Sequence, residues 1–136
     1  MTKRYKNKII YKEEKEEYYH NSKYNLKIHN SNIKLAGKGV FTEEPIPINS
    51  FIDFYTGDSY YNVKCGMYFV EISDIYGINA IAFPRCYMAM INDAYNSQYT
   101  NNCEIRIEND NIEIWSLRNI EKGEELFFSY GNEYWK

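Results

Sequence analysis

Apolar residues in this chain come in runs too short to make helices. From Tyr24 onward they are cut every few residues by clusters of Gly, Asn and Asp, and almost no long amphipathic helical pattern fits between the cuts. Leu26 and Ile28 alternate before an Asn30, Ser31, Asn32 turn. Phe51 to Tyr55 reads as a strand that ends in the turn Thr56, Gly57, Asp58, and Tyr68 to Ile72 and Ile78 to Phe83 read as two more. Glu104 to Ile107 and Ile112 to Trp115 alternate apolar with polar, with Asn109, Asp110 and Asn111 as the hairpin turn between them. A charged turn from Ile120 to Glu125 precedes a last strand, Leu126 to Tyr130. Pro45 and Pro47 predict a stiff extended connection with Ile46 and Ile48 packed, and Cys86 to Ile91 fits one helical turn. The pattern predicts a mostly β domain, with a sandwich or barrel as its default form.

Residues 1–23 read differently. They are polar and contain the run Glu13, Glu14, Lys15, Glu16, Glu17, which predicts a short solvated helix or a mobile arm. We therefore expect a polar N-terminal segment over 1–23 and one folded domain over 24–136, a length sufficient for one core and too small for two. Residues 1–40 carry ten Lys/Arg against four Glu, whereas residues 41–136 carry six against fifteen Asp/Glu. An acidic body suits a cationic partner better than a phosphate backbone, so direct nucleic-acid binding is not expected. Acidity that merely keeps the domain soluble is an equal reading. No apolar run approaches membrane-spanning length, and the basic N-terminus lacks the apolar stretch of a secretory signal, which predicts an intracellular setting. Cys65, Cys86 and Cys103 form no CxxC pair, so free thiols are expected in place of a metal site or disulfides.

Four stretches carry candidate chemistry, and each alone has an ordinary reading. Gly37, Lys38, Gly39 reads as a hairpin turn before it reads as a ligand loop, and it lacks the third Gly and helix of a dinucleotide site. Asn92 and Asp93 read as turn residues, Tyr55 as a packing residue, and Tyr130 after Phe127 and Phe128 as core. In order along the chain, however, these stretches resemble one family. Gly37 to Phe41 resembles the GxG-V-F opening of SET domains, the protein-lysine methyltransferases. Tyr55, Thr56, Gly57, Asp58 is similar to their Tyr-x-Gly-Glu/Asp signature, and Ile91 to Ala94 followed by Asn102 and Cys103 resembles Ile-Asn-His-Ser…Asn-Cys. Lys122 to Gly131 resembles the closing Gly-Glu-Glu-Leu…Tyr-Gly motif, and Tyr134 and Trp135 match an aromatic tail. In length the chain is closest to the small viral members.

The resemblance implies a SET fold: several small curved β-sheets, few short helices, and a C-terminal segment threaded under a preceding loop as a pseudoknot. It implies S-adenosylmethionine as methyl donor, S-adenosylhomocysteine as product, and a lysine of a protein as acceptor, a histone tail being the commonest, which would place the protein in a nucleus or host nucleus. By the same resemblance Tyr130 is the catalytic residue, while Tyr55 and Phe128 wall the lysine channel, Phe128 leaving room for higher methylation states. Gly37, Lys38, Gly39, Asn92, Asp93 and Trp135 fall on the cofactor side. A second copy of the chain is one way to complete the substrate groove. One departure stands out: Asp93 occupies the place of the usual His, which motivates an alternative reading as a SET-like binding module without activity.

Overall fold

The computed structural model describes residues 3–5, 8–10, 15–61 and 66–131. Strands β1 (Lys3–Tyr5) and β2 (Lys8–Ile10) form an antiparallel pair. They are followed in chain order by β3 (Tyr18–Tyr19), β4 (Leu26–Asn30), β5 (Lys38–Thr42), β6 (Phe51–Tyr55), β7 (Asp58–Tyr61), β8 (Phe69–Ser73), β9 (Tyr76–Asn79), β10 (Arg85–Cys86), β11 (Cys103–Glu108) and β12 (Asn111–Ser116). Among the described residues, a 3-10 turn over Tyr87–Met90 is the one helical element. The strands pair as small separate sheets: β4 with β5, β7-β9-β8, β11-β12-β6, and β3 in parallel with β10. Several small sheets with little helix are what the resemblance implies, in place of a sandwich or a closed barrel.

Local chemistry explains most of these elements. In β12 the buried positions Ile112 and Ile114 alternate with half-buried Glu113 and Trp115, as a sheet with one face on the core requires. Asn109 and Asp110, at φ 51° and 62°, make the tight connection from β11, since left-handed residues at both corners match the twist of the two strands. Where the sheets converge, Val40, Ile46, Ile52, Met88, Ile91, Ile114 and Leu126 make a sealed centre. Ile48, expected to pack beside Ile46, is exposed, because it stands in a turn with Asn49 (φ 59°), where the extended run that would put residues 46 and 48 on one face has ended. The strand expected over Ile78 to Phe83 lies earlier, in β9.

Two further expectations are corrected. Residues 15–23 form neither a helix nor an arm: Tyr18 and Tyr19 pair with Arg85 and Cys86, the Asn21 amide donates to Asp53 Oδ2 at 2.8 Å, and the Tyr19 hydroxyl bonds Thr56. The tertiary pairing overrides a charge pattern that is only weakly helical. The last segment, expected as a regular strand, is held by isolated bridges to three different partners.

Those bridges make the crossing that organises the fold. The Leu126 amide donates to Val40 O, the Phe128 amide to Asn92 O, and the amides of Asn102 and Cys103 both donate to Phe127 O. Residues 125–128 thus pass between Asn92 and Cys103, and the loop that joins those two flanks lies upon them, with Tyr99 stacked on the Phe127 ring at 5.5 Å. Asn102 pins the passage. It is 1% exposed; its Nδ2 donates to Glu125 O at 2.9 Å and its Oδ1 accepts the Phe127 amide at 2.8 Å, so its side-chain amide serves as a strand edge for the chain passing beneath.

Removing that amide orphans a buried carbonyl and a buried N–H, each costing about 1–3 kcal/mol. We expect Asn102→Ala to lower stability by on the order of 3 kcal/mol in chemical denaturation; a loss under 1 kcal/mol would show that the pin is dispensable. Cys86 and Cys103 are free and buried. Burial pushes the Cys103 thiol from its ordinary 9.0 up to about 12, against smaller lowering effects of the Phe127 backbone and Arg118. A raised value favours the protonated folded form, so this stabilisation is complete below the unfolded pKa and is lost as pH climbs through the folded one. Denaturation midpoints should therefore decline from pH 9 toward pH 12, and Cys103→Ala should make the decline shallower.

Candidate active site

The crossing delivers Tyr130 to a fixed place. Its amide donates to Asp93 Oδ2 at 2.8 Å and its hydroxyl to Ile91 O at 2.8 Å, while its ring meets Phe128 edge-on at 5.7 Å. Backbone and phenol are both tied to the Ile91–Asp93 strip, one residue either side of Asn92, so the ring cannot swing. Beside it Tyr55 is buried at the end of β6 and donates its hydroxyl to Tyr68 O. Burial pushes the Tyr55 phenol far up, with Cys86 and Tyr130 adding to the shift, so it stays a neutral donor at every physiological pH.

Tyr55, Phe128 and Tyr130 form the inner end of a cavity of about 360 Å³, whose outer walls are Phe69, Ile105 and Ile107. A second cavity of about 250 Å³ lies against Gly37, Lys38, Asn92 and Arg85. The two cavities share Tyr130, Ala89 and Met67 in their walls. One phenol therefore stands between an apolar channel and a polar cleft.

Of the residues expected on the cofactor side, Gly37, Lys38 and Asn92 line the polar cleft. Asn92 reaches across it, donating from Nδ2 to Lys38 O at 2.9 Å, which fixes the GxG turn against the threaded region. Gly39 and Asp93 do something else. A Cβ on Gly39 would fall 2.2 Å from Glu125 Oε2, so glycine is needed there to admit a buried carboxylate. That carboxylate accepts from Ser31 Oγ and the Asn32 amide, both at 2.7 Å, and so ties the loop before β5 to the C-terminal segment. Asp93 turns its carboxylate to the chain's own donors: Tyr130 N on one oxygen, Tyr95 N and Asn101 Nδ2 on the other. It closes the base of the crossing loop and holds Tyr130. Trp135 lies outside the described residues.

Several wall residues escaped the sequence reading, Glu16, Tyr18 and Arg85 among them. Glu16 and Tyr18 enter the cleft from the N-terminal segment, where Glu16 Oε2 lies 3.4 Å from Lys38 Nζ and the Tyr18 ring 5.5 Å from it. Arg85, 7% exposed, lies between the rings of Tyr68 and Phe83 at 4.0 and 4.1 Å. It donates to the carbonyls of Ala80 and Ile81, and among the described residues no carboxylate pairs with it. A cation set in the apolar stretch Ala82, Phe83, Pro84, Arg85, Cys86 was the available signal, since an arginine there must be buried with partners.

No curated protein matches the chain. The family model of the SET domain matches residues 37–131, from the first glycine of the GxG turn to the glycine after Tyr130. That span is more than half of the sequence and contains the crossing, the described channel wall and most of the cleft wall, Glu16, Tyr18 and Ala36 lying before it. The chain therefore belongs to the SET-domain family, whose members are in general protein-lysine methyltransferases.

Proposed function

We propose that this protein transfers a methyl group from S-adenosylmethionine to the side-chain amine of a lysine in a protein substrate. The observation that carries the reading is the position of Tyr130 in the shared wall of a polar cleft and an apolar channel. A two-substrate transfer needs donor and acceptor brought to one point from separate entrances, and alignment alone is worth several orders of magnitude in rate.

The cleft has the chemistry that the donor asks for. S-adenosylmethionine, when bound, supplies an electrophilic methyl group on a sulfonium. The main chain of Gly37 and Lys38 and the amide of Asn92 offer polar contacts, Tyr68 offers an aromatic face, and Arg85 offers a buried positive charge with no carboxylate partner among the described residues, suited to the donor's own carboxylate. On the other side, the walls of Tyr55, Phe128 and Ile91 accept the methylenes of a lysine and disfavour its ammonium form, so the amine sheds its proton before it reaches the floor. The Tyr130 hydroxyl spends its hydrogen on Ile91 O, which leaves the phenol oxygen as an acceptor for weak C–H donors at the junction. Tyr55, its own hydrogen given to Tyr68 O, presents an oxygen of the same kind. Phe128 brings no hydroxyl to the channel, which favours more than one round of transfer to the same amine.

A histone tail is the acceptor class that the resemblance implies and is one arm of the acceptor test. The alternative of an inactive binding module drew on Asp93, but its carboxylate holds the Tyr130 backbone and so gives that reading no support.

Thermal unfolding with S-adenosylmethionine tests the donor half. At one hundred times its Kd, a ligand of the folded state adds about 2.7 kcal/mol; an unchanged Tm overturns the proposal. Tyr130→Phe keeps the ring against Phe128 and removes only the hydroxyl. We expect transfer to fall on the order of 100-fold with donor stabilisation retained, and an undiminished rate would take Tyr130 out of the chemistry.

A further inference from the structure

The groove that leads to the channel is chemically unlike the rest of this protein. Residues 41–136 carry fifteen Asp/Glu, yet among the described lining residues of the channel and its mouth Glu71 is the one carboxylate. The remainder of the mouth is Met67, Phe69, Val70, Ile105 and Ile107. Met67 is 64% exposed and Ile107 41%, so this rim faces solvent and is not a sealed part of the core. The charges of β11 are turned the other way. Arg106 lies over the Trp115 ring at 4.3 Å, takes Glu104 at 2.7 Å and reaches Asn49 at 2.8 Å, all on the face opposite Ile105 and Ile107.

The strands that carry this rim are β8 and β11, each the outer strand of its three-stranded sheet. An extended segment laid between two outer strands can pair with either backbone, and its alternate side chains then point to the groove floor. A lysine entering the channel therefore places the residues two before and two after it on the same aliphatic rim. A cation at either position would lose water against Ile105, Ile107 or Met67, with Glu71 as the one carboxylate among the described lining residues. An aliphatic side chain there buries apolar area against apolar area.

From these observations we infer that the acceptor is a protein segment whose target lysine is flanked, two residues before and after, by aliphatic residues and not by arginine or lysine. This rests on the methyl-transfer reading and goes beyond it, because the acidic body of the protein, taken as a whole, favours the opposite acceptor.

The test uses the full chain, S-adenosylmethionine and a set of single-lysine peptides that differ only at the two flanking positions: Ile or Val, Ser, or Arg, together with basic histone-tail peptides. We expect kcat/KM for the aliphatic set to exceed that for the Arg set and the tails by about 10-fold or more, the usual worth of a filled apolar subsite. Ile107→Glu, at an exposed strand position, should reverse the order of aliphatic and Arg peptides while leaving donor stabilisation unchanged. Equal or faster transfer to the Arg set or the tails overturns the inference and leaves the methyl-transfer reading standing. So does an Ile107→Glu enzyme with the original ranking. Donor stabilisation without transfer to any peptide also overturns it, and loss of both donor stabilisation and transfer overturns the two together.

Discussion

The passage of residues 125–128 between Asn92 and Cys103 is the constraint on which the rest of this structure depends. A chain segment flanked on both sides must satisfy its backbone polar groups on both sides, and here it does so against Val40, Asn92, Asn102 and Cys103. Because these partners come from β5, from the strip after the 3-10 turn and from the start of β11, one short stretch closes three parts of the chain upon each other. Among the described residues no sheet is larger than three strands. Small sheets bury little on their own, and the crossing is what turns them into one core.

The same passage settles how the residues of the recognisable motifs are used. Several of them bond to the chain itself. Glu125 lies 3% exposed under Gly39, with Ser31, Asn32 and Asn92 around its carboxylate. Asp93 grips Tyr130 by its amide, and Asn102 grips the backbone on either side of Leu126. These are buried polar groups whose cost is met only when every donor and acceptor finds its partner. Such a network fixes one arrangement, and the Tyr130 phenol inherits that fixity. Asp93 in the place of the family's usual His is coherent in this light: a carboxylate can accept from two backbone amides and a side-chain amide at once, which an imidazole cannot do.

How far the sequence could be read follows from which forces are local. The β11–β12 hairpin was legible because alternation and an Asn-Asp corner are both written within fourteen residues. The 3-10 turn and the strand β6 were legible for similar reasons. The parallel pairing of Tyr18 and Tyr19 with Arg85 and Cys86 was not, since partners more than sixty residues apart leave no periodic trace in a two-residue strand. The threading became visible only by family resemblance, because hydrogen bonds between backbones are blind to side-chain type. Gly39 illustrates the difference: its motif was plain, but its need for a missing side chain comes from Glu125, eighty-six residues away. Arg85 was hidden for another reason, in that a buried cation looks like a surface cation until its aromatic and carbonyl neighbours are in place.

Charge is the property most easily misread from composition alone. Acidic residues dominate the C-terminal two thirds, and a cationic partner follows naturally from that count. The fold then sorts those carboxylates. Glu125 and Asp93 are consumed inside the crossing, Glu104 by Arg106, Glu124 by Arg118, and Asp53 by the amides of Asn21 and Phe54. A carboxylate paired with an arginine has its field largely cancelled at a distance, and one held by amides keeps its charge but turns its oxygens to the chain and away from the channel mouth. What the acceptor meets at the channel mouth is thus set by the side chains that β8 and β11 turn toward it, and there the apolar ones prevail.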